Sequence, residues 1–166
     1  MRRGLALIGI IVVAAVVING GRSYASFTVD GSFILWDEYP GKVDGERCTG
    51  ERSLYRGINS STQVTVETAG GDTVAAVSLG DGRIGSSADL VGLATLAGQP
   101  ATLDEMDTVL AKIPLVPCLF MFRFTVDADG RGADEYVVRL GTWGALTMNE
   151  GDLRKPGSVQ LSVGLR

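Results

Sequence analysis

Two different hydrophobic patterns divide the chain. Residues 5–18 form an unbroken apolar run that follows two arginines, Arg2 and Arg3. From Ser26 onward, apolar and polar residues instead alternate in short segments that are separated by glycine-rich stretches. An alternation of period two is typical of β-strands with one buried face. The pattern therefore predicts an N-terminal apolar helix within residues 1–25 and a β domain over residues 26–166.

The alternating segments predict six strands. They lie at residues 27–36, 62–68, 74–79, 118–126, 135–140 and 158–164. The fourth is the clearest, because every second residue from Cys118 to Val126 is apolar and three of these are phenylalanines. Gly70 and Gly71 join the second and third strands as a hairpin. Short strands with glycine-rich turns predict an all-β, sandwich-like domain.

One stretch breaks the strand pattern. In residues 87–113, Thr102 and Glu105 form a capping box that opens a helix over residues 106–112. Pro114 ends that helix because its ring blocks the next helical turn. We expect a short helical insertion between two strands. A long polar loop is expected earlier, at residues 37–61.

The N-terminal segment has the three regions of a secretory signal peptide, with small residues Ser23 and Ala25 before a cut after Ala25. The alternative is an uncleaved anchor that crosses the cytoplasmic membrane through residues 4–20, although the apolar run is shorter than the roughly 20 residues of a typical span. In both cases Arg2 and Arg3 stay inside. The sequence therefore predicts an extracytoplasmic body, either membrane-anchored or secreted.

Charge and composition exclude several classes of function. The chain contains 19 acidic and 15 basic residues, and three of the basic ones precede Ser26. An acidic body repels phosphate backbones, so we expect no nucleic-acid partner. Histidine is absent, which removes the commonest general base and metal ligand. No metal site, cofactor or catalytic residue is predicted.

The two cysteines of an exported chain are most simply paired. A bond between Cys48 and Cys118 would contribute about 4 kcal/mol through loop entropy. Two free buried thiols are the alternative. A catalytic thiol would lack a histidine to activate it, and two cysteines alone do not make a zinc site.

One set of positions combines cysteines, aromatic residues and short β-branched segments: Cys48-Thr-Gly50, Tyr55, Ile58, Val64-Thr65-Val66, Cys118-x-Phe120-x-Phe122, Tyr136-Val137-Val138, Gly144 and Asp152-Leu153. This set resembles a pattern found in small, uncharacterised exported proteins of actinobacteria. The chain departs from this pattern at Gly57, where an acidic residue is expected, and at Trp143, where an arginine is expected. The resemblance implies an exported β domain, with residues 87–113 as an insertion, and implies no catalytic residues.

Three aromatic residues are candidates for a binding surface. Trp36, Tyr39 and Trp143 lie near predicted strand ends or loops, where such side chains often contact a partner, although core packing is the default for a tryptophan. The export signal, the disulfide-bonded domain and the lack of a catalytic constellation together predict a non-enzymatic envelope protein that binds or supports another envelope component. A small secreted hydrolase is the alternative function, and it would need two converging carboxylates. The adjacent acidic residues that could supply such carboxylates are Asp37-Glu38 and Asp104-Glu105.

Overall fold

The computed structural model describes residues 26–52, 54–127 and 133–164. The predicted N-terminal helix within residues 1–25 lies outside these ranges. None of the helices in the described ranges is long and apolar enough to cross a membrane. The elements are, in chain order, β1 (Phe27–Asp37), β2 (Arg47–Cys48), β3 (Gln63–Thr68), β4 (Thr73–Ser78), β5 (Gly82–Ile84), α1 (Ser87–Leu96), α2 (Leu103–Leu110), β6 (Val116–Val126), β7 (Tyr136–Leu140), β8 (Gly144–Met148), α3 (Glu150–Leu153) and β9 (Val159–Val163).

The strands form two sheets, which confirms the predicted sandwich-like architecture. One sheet has five strands in the order β2-β5-β6-β1-β9, and the other has four in the order β4-β3-β7-β8. The longest pairing is antiparallel, between β1 and β6, and runs from Phe27 opposite Val126 to Asp37 opposite Val116. β9 lies parallel to the other edge of β1. The two longest strands therefore form the centre of the domain.

The main core lies between the two sheets. Alternate side chains of β1 and β6 are buried on the inner face, and Phe33, Leu35 and Phe120 are fully enclosed there. Tyr136 and Val138 of β7 belong to the same cluster. Burial of these large side chains is the main source of stability, because apolar area is removed from water. The alternation of phenylalanines in β6 predicted that this face of the sheet is buried.

The outer face of the five-stranded sheet changes character along β1. Asp30 is exposed and forms an ion pair with Arg123 of the neighbouring strand β6. Farther along the same face, Ile34 and Trp36 lie beneath α1 and α2. The buried residues of this second cluster are Trp36, Leu90, Leu93 and Leu119. The helical insertion thus covers one half of the outer face and leaves the other half to solvent.

All six predicted strands and the helical insertion are confirmed, with shifted ends. α2 begins at Leu103, directly after its cap Thr102, and not at Met106. The polar loop begins after Asp37, which is still part of β1, and contains the two-residue strand β2. Three other elements, β5, β8 and α3, were not predicted. Each is five residues long or shorter, too short for a clear period.

Candidate functional site

The predicted disulfide is confirmed. Cys48 and Cys118 are bonded, their Cα atoms lie 5.9 Å apart, and both are buried. The bond ties β2, in the middle of the polar loop, to the start of β6. Disulfides persist in oxidising compartments outside the cytoplasm, so the bond is consistent with an extracytoplasmic location.

A buried carboxylate also holds the polar loop. Asp37 has no exposed side-chain area and accepts hydrogen bonds from the backbone N–H groups of Glu38, Glu51 and Arg52, and from Nε of Arg52. A second nitrogen of the same guanidinium donates to the carbonyl oxygen of Trp36 at 2.8 Å. Burial raises the pKa of the Asp37 carboxyl, but the surrounding hydrogen bonds outweigh burial and place that pKa below its usual value. This arrangement gives Asp37 a structural role.

The second acidic pair is also accounted for by local structure. Glu105 accepts hydrogen bonds from the backbone N–H and the hydroxyl of Thr102, and these bonds lower the pKa of its carboxyl. This is the reciprocal capping box that the sequence predicted. The neighbouring Asp104 occupies the first turn of α2, where the helix dipole favours negative charge.

Two of the three aromatic residues expected at the surface are buried. Trp36 lies beneath the helical insertion, and the polar loop encloses Tyr39, whose hydroxyl donates to the carbonyl oxygen of Thr49 at 2.8 Å. Burial, and then the negative charges of nearby carboxylates, raise the pKa of Tyr39 above its usual range. Trp143 is half-buried after β7, with its ring 6.1 Å from that of Tyr55. Core packing, and not an exposed binding surface, therefore describes Trp36 and Tyr39.

An open groove with mostly apolar walls lies beside α1. Its volume is about 540 Å³, and we call it the α1 groove. Its apolar walls are formed by Leu93 and Leu96 of the helix and by Leu119 and Met121 of β6. Leu96 and Met121 are 54% and 46% exposed. These two side chains leave an apolar surface open to solvent where the helical cover ends.

The geometry of α1 explains why the groove is open. Gly92 faces it without a side chain, and a Cβ atom at that position would meet no other atom within 4 Å. On the sheet below, Met121 lies opposite Ser32 of β1, which is 3% exposed. The Ser32 hydroxyl is the one buried side-chain polar atom of the described ranges that has no hydrogen-bond partner. Ser32 itself is covered, so the opening lies at Met121 and beside Gly92.

The charged side chains that line the α1 groove, among the residues described, are Arg83 and Asp89. Their closest nitrogen and oxygen atoms are 3.3 Å apart, and both side chains are partly exposed. Asp89 also caps α1 by accepting hydrogen bonds from the backbone N–H and the hydroxyl of Ser86, each at 2.9 Å. The Ser86 backbone and side-chain hydrogen bonds, together with the charge of Arg83, lower the pKa of Asp89. The groove is therefore apolar along its length, with a neutralised ion pair at one end.

A wider depression of about 970 Å³ lies at the other end of α1. Apolar and polar residues both line it, among them Asp134, Glu135 and Asp152, and the last of these pairs with Lys155. Nowhere in residues 26–52, 54–127 and 133–164 are three or more His, Cys, Asp or Glu side chains placed to hold a metal ion. Leu96 lines both this depression and the α1 groove, so the two adjoin.

The sequence pattern does not predict the α1 groove, because it identifies Leu96 and Met121 only as members of a helix and a strand. Comparisons with protein-family models, with curated proteins and with solved structures found no match.

Proposed function

We propose that this chain is a non-enzymatic binding protein of the cell envelope, and that its body lies outside the cytoplasmic membrane and binds an apolar component of that envelope. The signal-like or anchor-like N-terminal segment and the Cys48–Cys118 bond support the location. The resemblance to small exported actinobacterial proteins agrees with it. An uncleaved segment at residues 4–20 would hold the body at the cytoplasmic membrane.

The α1 groove is the observation that carries the binding role. Leu96 and Met121 are each about half exposed around a space that Gly92 leaves open. Leaving such side chains in water forfeits the free energy that their burial would provide, roughly 25 cal/mol for each Å². A bound apolar molecule would recover it.

The dimensions of the groove favour a small apolar molecule over a protein partner. Its volume of about 540 Å³ lies within the range of ligand pockets, roughly 300–1,000 Å³. A stable protein interface buries about 800 Å² on each partner. The α1 groove alone is too short for such an interface, because α1 has ten residues and the groove beside it extends for no more than about 15 Å.

No observation favours the alternative of a secreted hydrolase. Asp37 is fully engaged by the hydrogen bonds of the polar loop, and Glu105 is a helix cap. The half-buried Trp143 remains a candidate contact, although it lies next to Tyr55 and outside the α1 groove.

In-cell photo-crosslinking tests the proposal. The full chain carries a photoreactive phenylalanine analogue at Met121, and a matched variant carries it at Leu103, which is equally exposed but lies outside the groove. After irradiation of intact cells, mass spectrometry should find a small apolar adduct at position 121 and none at 103. Equal labelling at both positions, no adduct, or a protein adduct at 121 would contradict the proposal.

A further inference from the structure

We infer that the component bound in the α1 groove is a single acyl chain with an anionic oxygen head group, whose head lies at Arg83 and whose chain follows α1 towards Leu96. This inference rests on the proposed function and names the ligand of the same groove. A carboxylate or a phosphate would supply the same head-group chemistry.

The shape of the groove fits one extended chain. Asp89 stands beside Arg83 at one end, and Leu96 is the last residue of α1 at the other. The seven-residue separation corresponds to about 10 Å of helix, the length of roughly eight methylene groups. Leu96 also lines a smaller depression of about 210 Å³ beside Thr28 and Gly157, which gives a longer chain room to continue.

The walls of the groove match an acyl chain and not a polar ligand. Leu93, Leu119 and Met121 line it between the two ends. Methionine is flexible and adapts to irregular apolar shapes. The acyl chain would cover the exposed parts of Leu96 and Met121, which carry no charge.

The ion pair at the end of the groove can exchange partners. Arg83 and Asp89 are both partly exposed, and surface pairs of this kind contribute little to stability. Asp89 keeps its hydrogen bonds from Ser86 when Arg83 leaves it. The guanidinium then presents its planar array of N–H donors to a carboxylate or a phosphate, which it binds in a bidentate manner. Only one terminal nitrogen of Arg83 bonds Asp89, at 3.3 Å, so the other N–H donors of the guanidinium can bind an anionic head.

Trp36 provides an internal probe of occupancy. It is buried in the cluster that contains Leu93 and Leu119, the two side chains that also line the groove. The chain has two tryptophans, so Trp143→Phe leaves Trp36 as the sole emitter. The full chain in this background is held in phosphatidylcholine nanodiscs and titrated with dibromostearate, whose bromine atoms quench a nearby indole. We expect saturable quenching of Trp36.

Matched variants separate groove binding from partition into lipid. In the same background, Leu96→Asp and Met121→Glu should each weaken the saturable quenching at least about tenfold, because a bound chain would bury the new carboxylate. Leu103→Asp, at a position 51% exposed on α2 and outside the groove, should leave it unchanged. Circular dichroism establishes that each variant is folded.

The head group is tested with Arg83→Gln and two further probes. The variant should weaken binding of dibromostearate and of brominated lysophosphatidic acid at least about fivefold. It should not change binding of dibromostearyl alcohol, and the ratio of the two anionic probes distinguishes a carboxylate from a phosphate ligand. Absence of saturable quenching would overturn the inference. So would quenching in Leu96→Asp and Met121→Glu that equals the quenching in the Trp143→Phe background chain. A non-acyl apolar adduct at position 121 in cells would reject the acyl chain and leave the proposed function intact.

Discussion

Removing the disulfide is expected to cost a large share of the domain's stability. The bond between Cys48 and Cys118 joins residues 70 positions apart. A closed loop of that length lowers the entropy of the unfolded chain by an amount worth about 4 kcal/mol. Folded domains are typically stable by only about 5–15 kcal/mol. Both cysteines are buried, so each single serine variant also places a hydroxyl in the core. Cys48→Ser and Cys118→Ser should therefore lower the free energy of unfolding by the same amount.

Urea unfolding of the oxidised and the reduced chain measures this loss. We expect the midpoint to fall on reduction and the m-value to rise, because an unbridged chain exposes more surface when unfolded. The Cys48→Ala/Cys118→Ala double variant is the control, and its midpoint should not respond to the reductant. Equal midpoints for the oxidised and reduced wild-type chain would refute the loop-entropy reasoning. Unequal losses in Cys48→Ser and Cys118→Ser would show that one cysteine matters through its packing.

Three further substitutions test the account of the fold. Asp37→Asn should destabilise the domain by about 2 kcal/mol at pH 7, because Arg52 loses a buried anionic partner while remaining partly exposed. Since the pKa of Asp37 is lowered in the folded state, the stability that its charge provides is present above the unfolded pKa near 4 and is lost as pH falls through the folded value. Urea midpoints of the two proteins should therefore converge in acid, and a constant difference down to pH 2 would contradict this assignment. Gly31→Ala should cost about 1–3 kcal/mol in thermal unfolding, because its Cβ would overlap the ring of Phe122. Gly92→Ala, which meets open space on a helix, should instead stabilise by roughly 0.5–1 kcal/mol, and a loss at position 92 equal to that at 31 would refute the packing argument.

The inner core could be predicted from the sequence because each of its strands repeats with period two. Alternate residues of β6 from Cys118 to Val126 are all buried, as the pattern indicated. The disulfide followed from the cysteine count and the expected compartment. The capping box of Thr102 and Glu105 located the second helix, because its two hydrogen bonds depend only on local spacing.

The outward residues of β1 and β6 change from charged to apolar along the strands, and the period-two pattern alone does not take this change into account. On β1, the outward residues change from Asp30 to Ile34 and Trp36, and on β6 they change from Arg123 to Leu119. Apolar residues on the outward face of a strand indicate that another layer covers that half of the sheet. This change places Trp36 beneath the insertion. The opening of the groove could not be predicted, because it depends on how far α1 extends over the sheet.

The short elements were missed for a different reason. β8 contributes only Leu146 and Met148 to the core side, and both are partly buried because the strand lies at the edge of its sheet. β5 consists of three residues and is held by pairing with β2 and β6 rather than by its own pattern. Such elements form through tertiary contacts that no local period records.

The central claim is tested most directly by identifying the small molecules that co-purify with the full chain from its native envelope. The wild-type chain and Met121→Glu are purified in parallel, and their extracted small molecules are quantified by mass spectrometry against the protein. Lipids that surround an anchor at residues 4–20 would be common to both samples. We expect one apolar component at close to one molecule per wild-type chain, and its loss from the folded Met121→Glu chain. The same components in the same amounts in both samples would contradict the assignment of the α1 groove as the binding site.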